Sequence, residues 1–410
     1  MTTDVGADAG AVAIDLSDDE TFRGGFPHER FAWLRAHDPV HWHGPTDRTP
    51  DGEGFWVVSR HAEISTVLRD PVTFSSDRGG IRAKGGTAIK DERTAGTMLN
   101  QTDDPQHQRL RTLVNRGFTP RAVAELSDEL RRRGDELLDA AGDEPFDFVH
   151  AFARELPSQA ICLVLGVPET DQPRLIDWLD AGIEADSPSI LSPDAMRKIR
   201  GYAVDLIAAK REQRDPGIMS TIVHARDEQG STLTDDELIA FFALLFPAGA
   251  ETTRSALAGA VYAFAQWPGE LDRLAREREL ITPAIEEIVR WTTPSVYKRR
   301  TASRDVTLAG VEIAAGDKVT FWEMSANRDD AVFTDPFRFD VGRSPNPHLG
   351  FGWGAHFCLG ASLARLEIRI MLELLAERGV RIEQTGDIAW MPNNRLFGLK
   401  SLPVRLVSPA

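Results

Sequence analysis

The sequence has few cysteines: 410 residues contain two, Cys162 and Cys358, which lie far apart in the chain. So few thiols exclude a disulfide framework and give no sign of a zinc cluster. Cys162 lies in an apolar segment with a helical pattern, so we expect it to be a small core residue. Cysteine usage of this kind is typical of a reducing compartment, and we expect a cytoplasmic protein.

Positive charge is also scarce. Lys and Arg number 47 against 63 Asp and Glu, which gives a formal net charge of −16 at pH 7. Nucleic acids bind to basic surfaces, because their phosphates are negative. The charge balance therefore argues against a nucleic-acid partner.

Long hydrophobic runs are absent as well. The longest apolar run, residues 238–250, is shorter than the about 20 residues that a membrane-spanning helix needs. Residues 1–13 are small and acidic and lack the basic and apolar regions of a signal peptide. We expect a soluble protein with no membrane span, a flexible tail at residues 1–20 and a single domain at residues 21–410.

A glycine-rich string at residues 351–360 surrounds Cys358 and leads directly into a helical pattern. The N–H groups at a helix N-terminus are unpaired, and the helix dipole lowers the pKa of a nearby thiol. Glycine also lets the backbone approach a bulky group closely. The string therefore predicts a cysteine that ligates a metal or cofactor, the alternative being a buried structural cysteine beside a tight turn.

Residues 236–266 predict one long helix that is apolar on nearly all sides, as expected of a helix at the centre of a protein. Pro247 should kink this helix, since it removes one backbone N–H. Glu251 and Thr252 place an acid and a hydroxyl among apolar neighbours. A buried carboxylate is costly unless it is paired or has a task, so these two residues are candidates for function. The alternative is an ordinary capping or surface patch.

Two further pairs have helical spacing. His107 and Arg111 are four residues apart, and Glu287 and Arg290 are three apart, so each pair shares one helical face. Alone, such pairs are usually solvated, and an ion pair of this kind contributes only about 0.2–0.5 kcal/mol.

Together these strings resemble one family. Phe-x-Gly-x-x-His-x-Cys-x-Gly at residues 351–360 is similar to the haem-binding loop of the cytochrome P450 family. Ala-Gly-x-Glu-Thr at residues 248–252 is similar to the motif on that family's distal helix. The resemblance covers about residues 25–405 and is strongest to soluble bacterial members. It implies haem b (iron protoporphyrin IX) as cofactor, with the Cys358 thiolate as the axial iron ligand.

The resemblance also implies the fold, which is mainly α with small β-sheets (α+β). The family's triangular prism holds haem between the long distal helix and the helix that follows the cysteine. We expect β-rich parts roughly at 38–60, 300–325 and 380–408. The helix-rich parts are expected roughly at 105–290 and 359–378.

The resemblance assigns roles residue by residue. Glu251 and Thr252 would be catalytic and would supply protons to dioxygen. Glu287, Arg290 and Arg338 would be structural and would lock the core on the cysteine side. The cofactor-binding residues would be His107, Arg111, Ala248, Arg300, Phe351, Gly352, His356, Cys358 and Gly360. Arg299 adjoins Arg300, so the strand residue that binds a haem propionate could be either of the two.

Substrate would be a hydrophobic small molecule whose identity the sequence does not define. We expect a mobile loop at 75–97 to line its entrance, the alternative being a plain surface loop. Residues that choose the substrate are expected at 78–100 and in a moving lid at 182–193. Arg82 and Lys84 could meet a carboxylate. The candidate substrate residues are Met98, Leu99, Ile183, Phe241, Leu244, Leu245, Ala248, Val296 and Phe397.

The predicted function is a haem-thiolate monooxygenase that inserts one oxygen atom of O2 into its substrate. Alternatives within the same fold are phenol coupling, desaturation and peroxide-driven oxidation. A haem-thiolate sensor or carrier without turnover is a second class. A non-haem metal site of Cys358 with His348 and His356 is a third.

Electrons would come from separate redox partners, a ferredoxin or similar small protein and its reductase. We expect a monomer that such a donor approaches from the cysteine side. Basic residues that would meet an acidic ferredoxin there are Arg109, Arg116, Arg365 and Arg369.

Overall fold

The computed structural model describes residues 14–115, 117–142, 144–184 and 191–407, and within these ranges it describes every side chain except those of residues 120 and 182–184. The fold is mainly α with small β-sheets, as predicted. No helix in the described ranges is both long enough and apolar enough to cross a membrane.

Helices make up the larger part of the molecule. The α-helices are α1 (His28–His37), α2 (His61–Arg69), α3 (Gln106–Asn115), α4 (Pro120–Ala124), α5 (Ser127–Ala141), α6 (Glu155–Leu165), α7 (Gln172–Glu184), α8 (Pro193–Glu212), α9 (Ile218–Val223), α10 (Asp235–Gln266), α11 (Pro268–Arg276), α12 (Ile281–Thr292), α13 (Glu323–Ala326) and α14 (Ala361–Arg378). A π-helical segment, Val149–Ala153, leads into α6.

The strands are short. They are β1 (Val40–His43), β2 (Phe55–Val58), β3 (Phe74–Ser75), β4 (Phe146–Asp147), β5 (Tyr297–Ala302), β6 (Val306–Leu308), β7 (Val311–Ile313), β8 (Lys318–Trp322), β9 (Arg381–Gln384), β10 (Ala389–Trp390), β11 (Leu399–Ser401) and β12 (Pro403–Val407). The largest sheet has the order β1-β2-β8-β5-β3, in which β2 and β8 are parallel. Smaller sheets pair β4-β12-β9, β6-β7 and β10-β11.

Helix α10 lies at the centre of the fold and packs against α6, α8, α12 and α14. It begins with a capping box, in which Thr234 and Glu237 satisfy each other's backbone N–H groups. It continues through Pro247 and ends at Gln266, just before Pro268 starts α11. Most of its residues are buried, as its apolar sequence predicts.

The flexible tail predicted at residues 1–20 extends too far along the chain. Leu16 has 0% of its surface exposed, and its N–H donates to His43 Nε2 at 3.1 Å. It belongs to a second core with Phe22 and Trp322, beside the large sheet. Residues 14–20 therefore pack on the domain, because Leu16 supplies an apolar anchor that the acidic composition obscured. Residues 1–13 lie outside the described part of the chain.

Candidate functional site

The loop around Cys358 precedes α14, whose N-cap is Gly360. The Cys358 N–H donates to the carbonyl oxygen of Phe351 at 2.9 Å, which closes the loop. Gly354 has φ 72°, and a Cβ there would lie 2.8 Å from the Leu68 carbonyl oxygen. The glycine therefore allows the end of α2 to close on the loop.

The Cys358 side chain is exposed even though protein atoms surround it closely, so it opens into an interior cleft. Burial raises the pKa of its thiol. A hydrogen bond from the Gly360 N–H and the positive charges of Lys298, Arg111 and Arg365 lower the pKa. The pKa stays above its ordinary value, so these cations offset only part of the cost of burying the thiolate that a metal ligand requires.

Two histidines meet beside this cysteine. The rings of His107, on α3, and His356 have centroids 4.1 Å apart. His356 Nε2 bonds with Ser76 Oγ at 3.0 Å, whereas His107 Nε2 is buried without a hydrogen-bond partner among the described residues. Burial and the nearby charges of Arg300 and Arg111 lower the pKa of His356 to about 2, so its ring is neutral.

The two arginines on β5 face opposite ways, as neighbours on a strand do. Arg299 is fully buried and donates to Asp91 at 2.6 Å. Arg300 lies over the ring of Phe321 at 5.2 Å and donates to the Arg299 carbonyl at 2.9 Å. Burial lowers its pKa to about 10. Arg300 therefore faces the cleft, and Arg299 does not.

One face of α10 is open, although the helix lies at the centre of the fold. Leu244 and Thr252 are half-buried and Ala248 is exposed, although the residues beside them are mostly buried. These three are four residues apart and so share one helical face. Thr252 Oγ1 donates to the Ala248 carbonyl at 2.8 Å. Gly249 lies elsewhere on the helix, where a Cβ would meet Ile161 of α6 at 2.8 Å.

Glu251 points away from that face, because consecutive helical residues are about 100° apart. Its buried carboxylate accepts from Arg254 at 3.3 Å. Burial raises its pKa to about 7, the Arg254 and Arg154 charges oppose this, and Asp180 adds to it. Glu251 and Thr252 are neighbours in the sequence, but no direct hydrogen bond joins their side chains in the structure.

The cleft residues fit an iron porphyrin, which carries two carboxylates. His107 Nε2 has no partner, and neither Arg111 nor Arg300 has an ion-pair partner in the described part of the chain. Burying such donors without acceptors is costly. Two carboxylates that entered the cleft would pair with them, and Cys358 supplies a soft ligand for iron.

Lys298 and Glu323 also lie close to Cys358 and Arg300, and neither was predicted from the sequence. Their side chains form an ion pair. A Cβ on Gly352, in the Cys358 loop, would lie 3.9 Å from Glu323 Oε1. The available signal was strand alternation, because Lys298 lies two residues before Arg300.

A buried ion pair lies behind the cysteine loop. Glu287 and Arg290 of α12 are both fully buried and 2.7 Å apart. The arginine that joins them is Arg343, whose Nε donates to Glu287 at 3.0 Å. The prediction of Arg338 was wrong: its side chain is exposed, and it contributes only its carbonyl oxygen, which accepts from Arg290 at 3.2 Å.

Because Arg343 binds the buried Glu287 and Arg338 does not, the two arginines should contribute differently to stability. Replacing Arg343 with alanine removes a donor from a buried carboxylate, which should cost about 1.5–3 kcal/mol of unfolding free energy. Replacing Arg338 with alanine should change it by no more than about 0.5 kcal/mol. Urea unfolding of the two variants checks this, and an Arg338→Ala loss as large as that of Arg343→Ala would contradict the assignment.

The candidate substrate residues are divided between several surroundings. Leu99, Phe241 and Leu245 are buried in the main core, whereas Met98 is half-buried. Val296 and Phe397 are buried in the second core with Phe22. The side chain of Ile183 lies outside the described part, as do residues 185–190 of the predicted lid.

Ion pairs anchor the loop that the sequence predicts to be mobile. Asp91 binds Arg299 at 2.6 Å and Arg82 at 3.1 Å, and Glu92 binds Arg395 at 3.1 Å. Two of these pairs join residues more than 200 positions apart, so sequence pattern could not have suggested them. Arg82, predicted to meet a substrate carboxylate, is already engaged.

The predicted docking arginines are paired with acids. Arg109 binds Glu237 at 2.7 Å, and Arg365 binds Glu286 at 2.7 Å. Arg369 lies 3.9 Å from Glu373. Arg116 lies outside the described part.

An exposed tryptophan stands in the cysteine loop. The side chain of Trp353 is 51% exposed, and the guanidinium of Arg69 lies 5.7 Å from its ring centroid. An exposed aromatic beside a cation is a common feature of protein interfaces.

Comparisons with known proteins agree with this geometry. A model described as cytochrome P450 matches residues 191–404. A Mycobacterium tuberculosis protein described as cytochrome P450 126 is 49% identical over 407 residues, which cover 97% of this chain and 98% of that protein. A methyl-branched lipid omega-hydroxylase of the same species is 38% identical over 388 residues, covering 91% and 90%. A Mycobacterium marinum cytochrome P450 solved with pseudoionone has a TM-score of 0.86 and 33% identity, covering 96% and 98%.

Proposed function

Because the chain belongs to the cytochrome P450 family, whose enzymes are monooxygenases with haem b, we propose that it hydroxylates a lipid-like small molecule with electrons from a ferredoxin. One observation carries this proposal. Cys358 lies beside Arg111 and Arg300, two cations that have no ion-pair partner in the described part of the chain, and the open Ala248 face of α10 would border the same cleft. This arrangement suits a dianionic metal cofactor with a reaction chamber above it.

Each cleft residue would then have a task in holding haem. Cys358 would bind the iron, and His107, Arg111 and Arg300 would donate to the two carboxylates. His356 would stay neutral and support His107 by ring contact. A further group of residues would shape the surfaces above and below the porphyrin: Ala248, Phe351, Gly352 and Gly360.

When bound, haem with a thiolate ligand supplies the chemistry that cleaves the O–O bond. The chain's own residues would control protons at that place. Thr252 would hold its hydroxyl at the cleft, because its bond to the Ala248 carbonyl fixes the side chain. Glu251, whose pKa is about 7, populates both protonation states near neutral pH and would exchange protons with Thr252 through water.

The substrate would be a largely apolar lipid. The cleft side of α10 presents Leu244 and Ala248, and the half-buried Met98 belongs to the segment that leads into α3. Apolar walls with few polar groups bind hydrophobic ligands. A relative that is 38% identical is named for methyl-branched lipids, which makes a branched aliphatic chain the first substrate class to try.

The electron donor would dock on Trp353 rather than on an arginine patch, because acids already neutralise Arg109 and Arg365. Trp353 lies in the same loop as Cys358, so a donor seated there would be close to the iron ligand. Arg69 beside its ring would complement an acidic ferredoxin. The free thiols of the described chain suit a reducing compartment, and we propose the cytoplasm as the site of this encounter.

Replacing Trp353 with alanine should weaken ferredoxin binding about tenfold or more, as expected for a central aromatic contact. Stopped-flow reduction at several ferredoxin concentrations measures this. Reduction by dithionite should not change. Trp42, which is 45% exposed on β1, provides the matched control. Equal slowing in Trp42→Ala, or wild-type reduction of Trp353→Ala, would count against this docking site.

Oxygen labelling tests the reaction itself. The haem-loaded protein is incubated with NADPH, a ferredoxin, its reductase, oxygen-18 gas and a panel of methyl-branched fatty acids and sterols. We expect a hydroxylated product that contains one labelled oxygen atom. Product that forms only with peroxide would favour the peroxide-driven alternative, and failure of both systems would favour a sensor or carrier.

A further inference from the structure

Strand β5 places a second cation on the cleft side of Arg300. Tyr297 and Arg299 face the other way, where they contact Ile89 and Asp91. Lys298 alternates with them and therefore shares the face of Arg300. It is half-buried on a strand whose other residues are all buried, and its positive charge acts on the Cys358 thiol, so its ammonium lies on the cysteine side of the strand.

The counter-ion of Lys298 is Glu323, which has one carboxylate oxygen left for a further hydrogen bond. Glu323 is fully buried, and one of its oxygens accepts from the Lys298 ammonium. Its other oxygen, Oε1, is buried without a hydrogen-bond partner among the described residues. Burial raises the pKa of Glu323, and Lys298 and Arg300 oppose this. Glu323 is therefore one negative charge shared between two cations.

The charges of the cleft wall do not balance within the protein. Arg111, Arg300 and Lys298 are positive, whereas the two carboxylates whose charges act on Arg300 and Lys298 in the described structure are those of Glu323 and Asp103. A buried cation in excess is costly unless an anion compensates it. The two carboxylates of haem would supply that compensation, and Lys298 has the freedom to reach one. Its side chain is 33% exposed on a flexible four-carbon stem.

We infer that Lys298 is a further haem-binding residue, whose ammonium donates to a haem carboxylate while Glu323, its ion-pair partner, anchors it on the Arg300 side of the cleft. This inference rests on the proposed assignment of Cys358 and Arg300 to the haem. In this arrangement the Glu323 carboxylate competes with haem for the Lys298 ammonium. The two residues of one ion pair then have opposite effects on haem retention.

Haem transfer to excess apomyoglobin tests the inference without any turnover. The wild-type holoprotein first shows, by its thiolate-type spectrum, that Cys358 binds the iron. We expect Lys298→Met to release haem about tenfold faster than the wild type and Lys298→Arg to release it at close to the wild-type rate. Glu323→Gln should release haem no faster than the wild type, because the ammonium is then free to bind the cofactor.

A purely structural ion pair predicts a different result. In that case Lys298→Met and Glu323→Gln would both loosen the protein and accelerate haem release alike, which would overturn the inference. Wild-type retention in Lys298→Met would overturn it as well. Should Lys298→Met fold poorly, as judged by circular dichroism, Lys298→Gln in the Glu323→Gln background removes the cation without leaving a buried unpaired acid. Faster release from that double variant than from Glu323→Gln alone supports the inference, and equal release contradicts it.

Discussion

Replacing Cys358 with serine should abolish monooxygenase activity. A serine hydroxyl is a much weaker electron donor than a thiolate, and the Cys358 thiolate would supply the electron density that O–O bond cleavage needs when haem is bound. Serine preserves the size of the side chain and the N–H bond to the Phe351 carbonyl, so the loop should keep its conformation. The reduced, carbon monoxide-bound variant should lose the long-wavelength band of thiolate haem, and hydroxylated product should fall below detection.

Cys162 provides the matched control for this experiment. It is fully buried in α6, where burial raises the pKa of its thiol to about 12 and keeps it protonated. Cys162→Ala should retain the thiolate-haem band and the activity. Loss of that band in Cys162→Ala, or its persistence in Cys358→Ser, would contradict the ligand assignment.

Replacing Thr252 with alanine should separate electron consumption from product formation. The variant should continue to consume NADPH, because nothing in the haem-holding set changes. Product formation should fall about 10²-fold, the lower end of what a positioned proton-transfer group contributes. Measuring hydroxylated product and hydrogen peroxide per NADPH checks both parts of this expectation.

Thr252→Ser keeps a hydroxyl that is able to donate to the Ala248 carbonyl, as Thr252 does at 2.8 Å. It should therefore recover most of the product lost in Thr252→Ala. An unchanged yield of product per NADPH in Thr252→Ala would remove Thr252 from the proposed proton route.

Features defined by local sequence were predicted well. The glycine string before α14 and the long apolar segment of α10 are both continuous in the sequence. They were predictable because helix ends and helix burial depend on residues that are neighbours in the chain. Hydrogen bonding in the structure added detail to some of these elements. Within the expected helix-rich part, residues 120–141 form two helices, α4 and α5, and within the expected β-rich part at 300–325, residues 306–321 contain β6, β7 and the first residues of β8.

Contacts between distant segments were not predictable from pattern. Spacing on one helix identified Glu287 and Arg290, but their third partner, Arg343, comes from a loop whose path follows no sequence period. The anchoring of Asp91 by Arg299 depends likewise on tertiary pairing. The family resemblance did not identify Lys298 either, because its proposed role depends on which side of β5 faces the cleft.

The spectrum of the reduced, carbon monoxide-bound wild-type protein tests the central claim most directly. We expect that protein purified with haem shows the long-wavelength absorption band of a thiolate ligand and that this band depends on Cys358. A band typical of imidazole-ligated haem, or failure of the protein to bind haem at all, would contradict it.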